Sequence, residues 1–249
     1  YTADEHTLVC LEKLDSVIDT QEKRLQGYRD LLMKSEAPFV IYLALLLHDV
    51  GKAANVAYHA DASALAASRV AKRLQLTSES RRMLVFLVDQ HMLLSNTAQR
   101  RNLEDPATLC EFAAAVQSQA NLEALMLVTL ADGMGVGDTE VWSDWKESLV
   151  WQLYRSTTRY LAEGEAFFKK RASERKGMAA AVSKRLGSAF IDEVEAHFNF
   201  MPEGYFNAFD EEAIAAHIQL FRTFFEHQMS GGPVLAPAVR WVAHPDRGH

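Results

Sequence analysis

The chain contains few of the residues that cross-link or interrupt a fold: 2 cysteines, 6 prolines and 12 glycines in 249 residues. Two cysteines, Cys10 and Cys110, do not make the disulfide framework of a small secreted protein, so we expect a cytoplasmic, reducing location. The scarcity of proline and glycine leaves little to stop helices. The apolar run 39–47 is only nine residues long, whereas a membrane-spanning helix needs about 20, so we expect no membrane partner.

An excess of positive charge is also missing. The chain has 26 Lys and Arg residues against 33 Asp and Glu residues, a net charge of −7. Nucleic-acid-binding proteins present a basic surface, so we expect no nucleic acid as partner, although a compact phosphorylated substrate stays possible. With 49% hydrophobic residues the chain can bury the core of one large domain or of two smaller ones.

The hydrophobic spacing predicts an all-α fold, because apolar residues recur every three or four positions along nearly the whole chain. We expect a first helix capped by Asp4, with Leu8, Leu11, Leu14 and Ile18 on its buried stripe. A second helix carries "PFVIYLALLLHDV" and is expected to end near Gly51.

Further helices are predicted downstream. Asp105 followed by Pro106 indicates a helix start. The apolar segment "NLEALMLVTLAD" is expected to end as a helix at Asp132, and one long helical pattern covers residues 140–176. Residues 178–228 are predicted to be helical with a break near "FMPEGYF".

The two ends suggest a piece of a longer polypeptide, since the first residue is Tyr1 and the last segment, "AVRWVAH", resembles a strand without partners. We therefore expect a helical domain at 1–162 and a helical extension at 163–229. A linker with the start of a truncated downstream domain is expected at 230–249.

Potential metal ligands interrupt the apolar helix faces at six positions: His6, His48, Asp49, His59, His91 and Asp132. A single histidine on an apolar helix is most often a hydrogen-bonded core residue, and an aspartate at a helix end is most often a cap. In combination, imidazoles and carboxylates are the donors used by Zn, Mn, Fe and Mg. Helical bundles build metal sites from side chains on several helices, so the set indicates a metal centre.

The order "H…HD…D", with the pair inside "HDVGK", resembles the HD superfamily of metal-dependent phosphohydrolases, which are helical. The resemblance implies that His6, His48, Asp49 and Asp132 bind one divalent ion. It implies that His59 and His91 hold a second ion and that Asp49 bridges the two. Mn, Fe, Mg and Zn all stay open as the metal.

Several separated motifs, among them "YTADEHTL", "LLLHDVGK" and "HMLLSNTAQRRNLEDP", resemble the HD region of the bifunctional uridylyltransferase/uridylyl-removing enzyme family. That resemblance implies hydrolysis of tyrosyl-O-UMP on a uridylylated PII-like signalling protein. It also implies a nucleotidyltransferase domain upstream and ligand-sensing ACT domains downstream.

Other polar residues near the motifs are candidates for the chemistry. Asp49 and Lys52 are predicted to be catalytic, with Lys52 neutralising charge on phosphorus; the alternative is a lysine that only complements a helix dipole. Gln99, Arg100 and Arg101 are predicted to bind the substrate, because guanidinium groups fit phosphate oxygens. Their alternative is a solvated loop paired with Glu104 and Asp105.

Two other functions are compatible with the same residues. One is an HD phosphohydrolase acting on a small nucleotide or a cyclic dinucleotide. The other is a non-catalytic helical relay between flanking domains.

Overall fold

A computed structural model of the chain describes residues 2–54, 59–136, 142–230 and residue 239, with the side chains of residues 53, 54, 59–61 and 203 left out. The described residues form helices and no strand, so the all-α prediction is confirmed. The predicted strand-like segment 238–244 lies outside the described residues, apart from Val239.

The chain forms two compact units, Tyr1–Gly164 and Glu165–His249. The helices of the first unit are α1 (Ala3–Ser16), α2 (Gln26–Lys34), α3 (Pro38–Leu47), α4 (His59–Arg73), α5 (Ser78–Asp89), α6 (Leu93–Arg100), α7 (Pro106–Val116), α8 (Gln119–Gly135) and α9 (Asp144–Glu163). Short 3₁₀ helices cover Lys23–Leu25 and Val50–Ala54. As predicted, Asp105 caps α7, accepting a hydrogen bond from the Ala107 N–H at 3.0 Å.

Helix α8 is the central helix of the first unit. Its middle turns are buried on every side, as expected for a helix that is apolar all round. It packs against α1, α2, α3, α5 and α9. Helix α3 also contacts both α1 and α5, so α1, α3, α5 and α8 pack as one group of helices.

Helix α1 differs from the prediction in its cap and in its buried face. It begins at Ala3, and the N–H of its N-cap residue Thr2 donates to the Glu5 carboxylate at 3.2 Å, so Asp4 is not the cap. The buried positions of α1 are Thr7, Cys10 and Leu14, whereas Leu8 is 65% exposed. The predicted stripe is therefore right at Leu14 and wrong at Leu8, because the face that meets α3 and α8 is rotated towards Cys10.

Three helix ends were also predicted wrongly. Helix α3 ends at Leu47, before the His48–Asp49 pair, and the chain continues as a 3₁₀ helix from Val50. Helix α8 continues past Asp132 to Gly135. The long pattern over 140–176 is two helices, since Gly164 adopts φ +59° and ends α9. Only glycine takes that backbone conformation without strain.

The second unit contains α10 (Ala166–Leu186), α11 (Ile191–Phe200), α12 (Glu203–Ala208) and α13 (Glu211–Met229), with a 3₁₀ turn at Ser188–Phe190. The predicted break near "FMPEGYF" is confirmed by the gap between α11 and α12. Its core includes Val182, Phe198, Ile214 and Ile218.

Among the described helices, none is long and apolar enough to span a membrane alone. One pair, Lys23–Lys34 with Pro38–Lys52, meets the length and composition together but is bent by 110° at its break.

Candidate metal centre

The predicted ligands His6, His48 and Asp132 meet at one place in the first unit. They come from the first turns of α1, from the residue that follows α3, and from the last turns of α8. The ring centroids of His6 and His48 are 5.4 Å apart. His6 Nε2 lies 2.9 Å from Asp132 Oδ1, and His48 Nε2 lies 3.7 Å from the same oxygen.

His48 and Asp49 are placed by the end of α3. The apolar helix α3 buries its face against α5 and α8, so the residue that follows it enters the interior. Both side chains are almost fully buried, at 1% and 3% exposed. Burial of an imidazole and a carboxylate is costly unless each has a polar partner, so their partners decide what the site does.

The histidines share one anchoring pattern. In each, Nδ1 lies against a backbone carbonyl oxygen: Gly135 for His6 at 3.2 Å, Leu45 for His48 at 2.6 Å and Val88 for His91 at 2.9 Å. A carbonyl oxygen only accepts, so Nδ1 must donate and, in the neutral ring, Nε2 carries the lone pair. Metal-binding histidines are commonly fixed in this way by a hydrogen bond at the other ring nitrogen.

The His6–Asp132 contact therefore needs a positive charge between its partners. In the neutral tautomer two lone pairs, on Nε2 and Oδ1, would face each other at 2.9 Å. A proton on the ring resolves this, and the Asp132 carboxylate accordingly raises the pKa of His6. A divalent cation shared by the two atoms resolves it equally well.

Two buried atoms in the site lack a hydrogen-bond partner among the described residues. They are His48 Nε2 and Asp49 Oδ1. The 3.3 Å approach of His48 Nε2 to Asp49 Oδ2 is an ion-pair distance without hydrogen-bond geometry. An unpaired nitrogen lone pair and an unpaired carboxylate oxygen, side by side and buried, are the donors that a divalent cation takes up, so the residues fit a metal ion.

The electrostatics of the metal-free site favour ionised carboxylates. Burial alone would raise the pKa of Asp49, but His48 and Lys52 outweigh it and lower that pKa well below its usual value. Burial alone would likewise raise the pKa of Asp132, and His6 and His48 lower it instead. Both carboxylates are thus kept in the form that binds cations.

The imidazoles respond in two ways. Burial lowers the pKa of His48, but the neighbouring Asp49 carboxylate outweighs it, so the net shift is upward. For His91, burial and the nearby His48 lower the pKa. The His91 ring lies 5.3 Å from the His48 ring, so the structure brings this predicted second-ion ligand next to the first site. The side chain of His59, at the start of α4, lies outside the described residues.

Lys52 contacts Asp49 directly. Its Nζ donates to Asp49 Oδ2 at 2.5 Å, and its side chain is 49% exposed. The lysine thus satisfies one oxygen of Asp49 while it keeps access to solvent, and the other oxygen, Oδ1, stays available.

Gln99, Arg100 and Arg101 lie at the exposed C-terminal end of α6. Arg101 donates to Glu111 at 2.9 Å. The structure shows no contact between these three residues and the described metal ligands. Helix α6 begins at Leu93, two residues after His91, and is eight residues long, about 12 Å at 1.5 Å per residue. Its C-terminal end is therefore about one helix length from the turn that contains His91.

Cys10 was missed as a member of the site by the sequence reasoning. Four residues, His6, Cys10, His48 and Asp132, each offer a ligand atom within 4.8 Å of the other three, a group that could hold a metal ion. Two atoms bound to one ion at about 2.0–2.3 Å are at most about 4.6 Å apart, so little adjustment is needed. The spacing of His6 and Cys10, four residues apart on a helix, was the available signal.

Comparisons with known proteins identify the family to which this chain is related. A scan against protein-family models found no match. A bifunctional uridylyltransferase/uridylyl-removing enzyme of Cereibacter sphaeroides is 39% identical over 165 residues, 66% of this chain and 18% of that protein. Enzymes of the same name are 32% identical in Phenylobacterium zucineum, over 96% of this chain and 25% of the relative, and in Azotobacter vinelandii, over 94% and 26%.

The chain thus spans about a quarter or less of the length of these relatives. The aligned part includes most of this chain, and its helical site with a His–Asp pair is consistent with the HD region expected from the sequence. This chain is therefore a homologue of one segment of the bifunctional uridylyltransferase/uridylyl-removing enzymes.

Proposed function

We propose that the chain is a metal-dependent phosphodiester hydrolase that removes UMP from tyrosyl-O-UMP on a uridylylated PII-like signalling protein. The homologues are named as uridylyl-removing enzymes. The observation that carries the proposal is the meeting of His6, His48 and Asp132 around a buried, unpaired His48 Nε2. A structural core would pair that nitrogen.

His6, His48, Asp49 and Asp132 would hold the ion through the Nε2 atoms and carboxylate oxygens described above. A divalent ion supplies Lewis acidity, which lowers the pKa of water and polarises a phosphoryl oxygen. The carbonyls of Leu45 and Gly135 orient the imidazoles, and the two carboxylates balance the charge of the ion.

Asp49 and Lys52 are the residues we assign to catalysis. Lys52 fixes Asp49 through Oδ2, and Oδ1, which has no hydrogen-bond partner among the described residues, would be the oxygen that binds an ion. Because the lysine is half exposed, its ammonium group can also neutralise charge that develops on the phosphoryl oxygens. The leaving tyrosyl oxygen has a solution pKa of about 10 and needs little help from a proton donor.

We assign substrate binding to Gln99, Arg100 and Arg101, whose exposure leaves them accessible to a phosphate or a base. A second ion would use His91 and His59, with Asp49 between the two ions. In the full-length protein we expect the nucleotidyltransferase domain before this chain and the ACT domains after it. The reaction would take place in the cytoplasm.

The test is release of UMP from uridylylated PII protein, followed by chromatography in the presence of Mn²⁺. The proposal predicts release by the wild-type chain and none by His48→Ala/Asp49→Ala, while Cys110→Ser serves as a control outside the metal group. A panel of free nucleotides and cyclic dinucleotides is assayed in parallel. Turnover of a free nucleotide without release from PII would refute the proposed substrate. Inertness towards both, and towards bis(p-nitrophenyl) phosphate, would favour the non-catalytic relay.

A further inference from the structure

Cys10 occupies a place that ordinary core packing does not explain. Its side chain is fully buried, one helical turn after His6. Its Sγ lies 3.5 Å from His6 Nε2 and 3.8 Å from Nδ1. The sulfur is therefore nearer the ring nitrogen that faces Asp132 than the nitrogen that donates to the Gly135 carbonyl.

A second observation points to a ligand at the same place. His48 Nε2 is buried, has no hydrogen-bond partner among the described residues, and belongs to the same four-residue group as Cys10. All four donor atoms lie within 4.8 Å of one another. Together, an unpaired nitrogen, a carboxylate oxygen and a sulfur can bind one ion through nitrogen, oxygen and sulfur ligands.

Gly135 provides the space for the sulfur. A Cβ atom at this position would lie 2.4 Å from Cys10 Sγ and 3.1 Å from His6 Cε1. The last turn of α8 thus approaches α1 closely because it carries no side chain there, and the same residue orients His6 through its carbonyl. The backbone at Gly135 therefore lies against both candidate ligands, Cys10 and His6.

We propose that Cys10 is a thiolate ligand of the ion held by His6, His48 and Asp132. Binding of a divalent ion replaces the thiol proton, which leaves to solvent together with any proton that His6 Nε2 carries in the metal-free site. Sulfur is a soft donor, so the site would favour Zn²⁺, Fe²⁺ or Co²⁺ over Mg²⁺. The inference deepens the proposed function by assigning the donor set, and it needs the metal site but not the hydrolytic activity.

X-ray absorption spectroscopy of the whole chain, loaded with one equivalent of Zn²⁺, tests this directly. The chain has two cysteines, so Cys110→Ser leaves Cys10 as the only thiol and is the matched control. We expect a sulfur scatterer at about 2.3 Å from zinc in the wild type and in Cys110→Ser. Cys10→Ser should lose it and show only nitrogen and oxygen ligands.

Zinc bound with only nitrogen and oxygen ligands in both the wild type and Cys110→Ser would overturn the inference. That result does not depend on Cys10→Ser being folded. UMP release is measured on the same preparations, to separate the two proposals. Activity without a sulfur ligand would leave the proposed function intact, whereas a sulfur ligand without activity would refute the function alone.

Discussion

Replacing Gly135 with alanine should disturb the metal centre through one identifiable contact. The added Cβ would lie 2.4 Å from Cys10 Sγ, whereas non-bonded heavy atoms are comfortable at about 3.5–4.0 Å. The overlap exceeds about 1 Å. Cys10 is fully buried, so the sulfur has no open space to enter and either α1 or the end of α8 must shift.

The expected cost follows from the size of that overlap. Overpacking of a buried site by one methyl group destabilises by about 1–3 kcal/mol. In a protein of this size about 1 kcal/mol corresponds to about 2–4 °C in Tm. Cys10→Ala removes the sulfur that the new Cβ would overlap. The loss of stability in the double variant Cys10→Ala/Gly135→Ala should therefore be about 1–2 kcal/mol smaller than the sum of the losses in the two single variants.

Urea unfolding of the four proteins, followed by circular dichroism, measures this coupling. Gly177→Ala, in the exposed interior of α10, is the control, because a Cβ there meets nothing within 4 Å. We expect that control to gain up to about 1 kcal/mol from helix propensity. If Gly135→Ala matched the wild type, or if its cost were the same with and without Cys10, the packing described for this site would be refuted.

Four further outcomes are expected. Asp132→Asn should abolish the stabilisation by a divalent ion, which amounts to about 2.7 kcal/mol in the wild type at 100 times Kd; thermal unfolding with and without ion measures it. The pKa values of His6 and His48 are raised, so their stabilisation is full below their unfolded pKa, about 6.5, and is lost as pH rises through the folded pKa. In metal-free protein the Tm difference between the wild type and His6→Gln should thus be smaller at pH 8 than at pH 6, and a difference that does not change with pH would contradict this. Lys52→Gln should slow UMP release by up to about 10²-fold with ion binding retained. In Arg101→Gln, loss of the exposed pair with Glu111 should cost at most about 1 kcal/mol.

Helices with strong local signals could be predicted from the sequence. Asp105 and Pro106 mark the start of α7 by themselves, and the apolar run before His48 places that histidine in the interior. The candidate ligands His6, His48 and Asp132 were recognisable because their residue types follow a spaced pattern. Their proximity in space depends on how α1 and α3 pack on α8, and the sequence pattern of each helix does not indicate that packing.

The features that were missed depend on contacts between distant segments. Helix α1 has apolar residues on more than one face, and its packing partners bury Cys10 while they leave Leu8 exposed. Helix α8 passes through Asp132 and Gly133 because surrounding helices cover it, although the Asp–Gly pair resembles a helix end. The proposed role of Cys10 depends on its contact with Gly135, which is 125 residues away in sequence and has no side chain that would indicate the contact.

Ion stoichiometry tests the central claim most directly. The chain is incubated with Mn²⁺ or Zn²⁺, dialysed free of unbound ion, and analysed by inductively coupled plasma mass spectrometry beside His48→Ala. The wild type should retain at least one ion per chain and the variant much less. A wild-type chain that retains no stoichiometric ion, or a folded His48→Ala that retains as much as the wild type, would contradict a metal centre built on His6, His48 and Asp132.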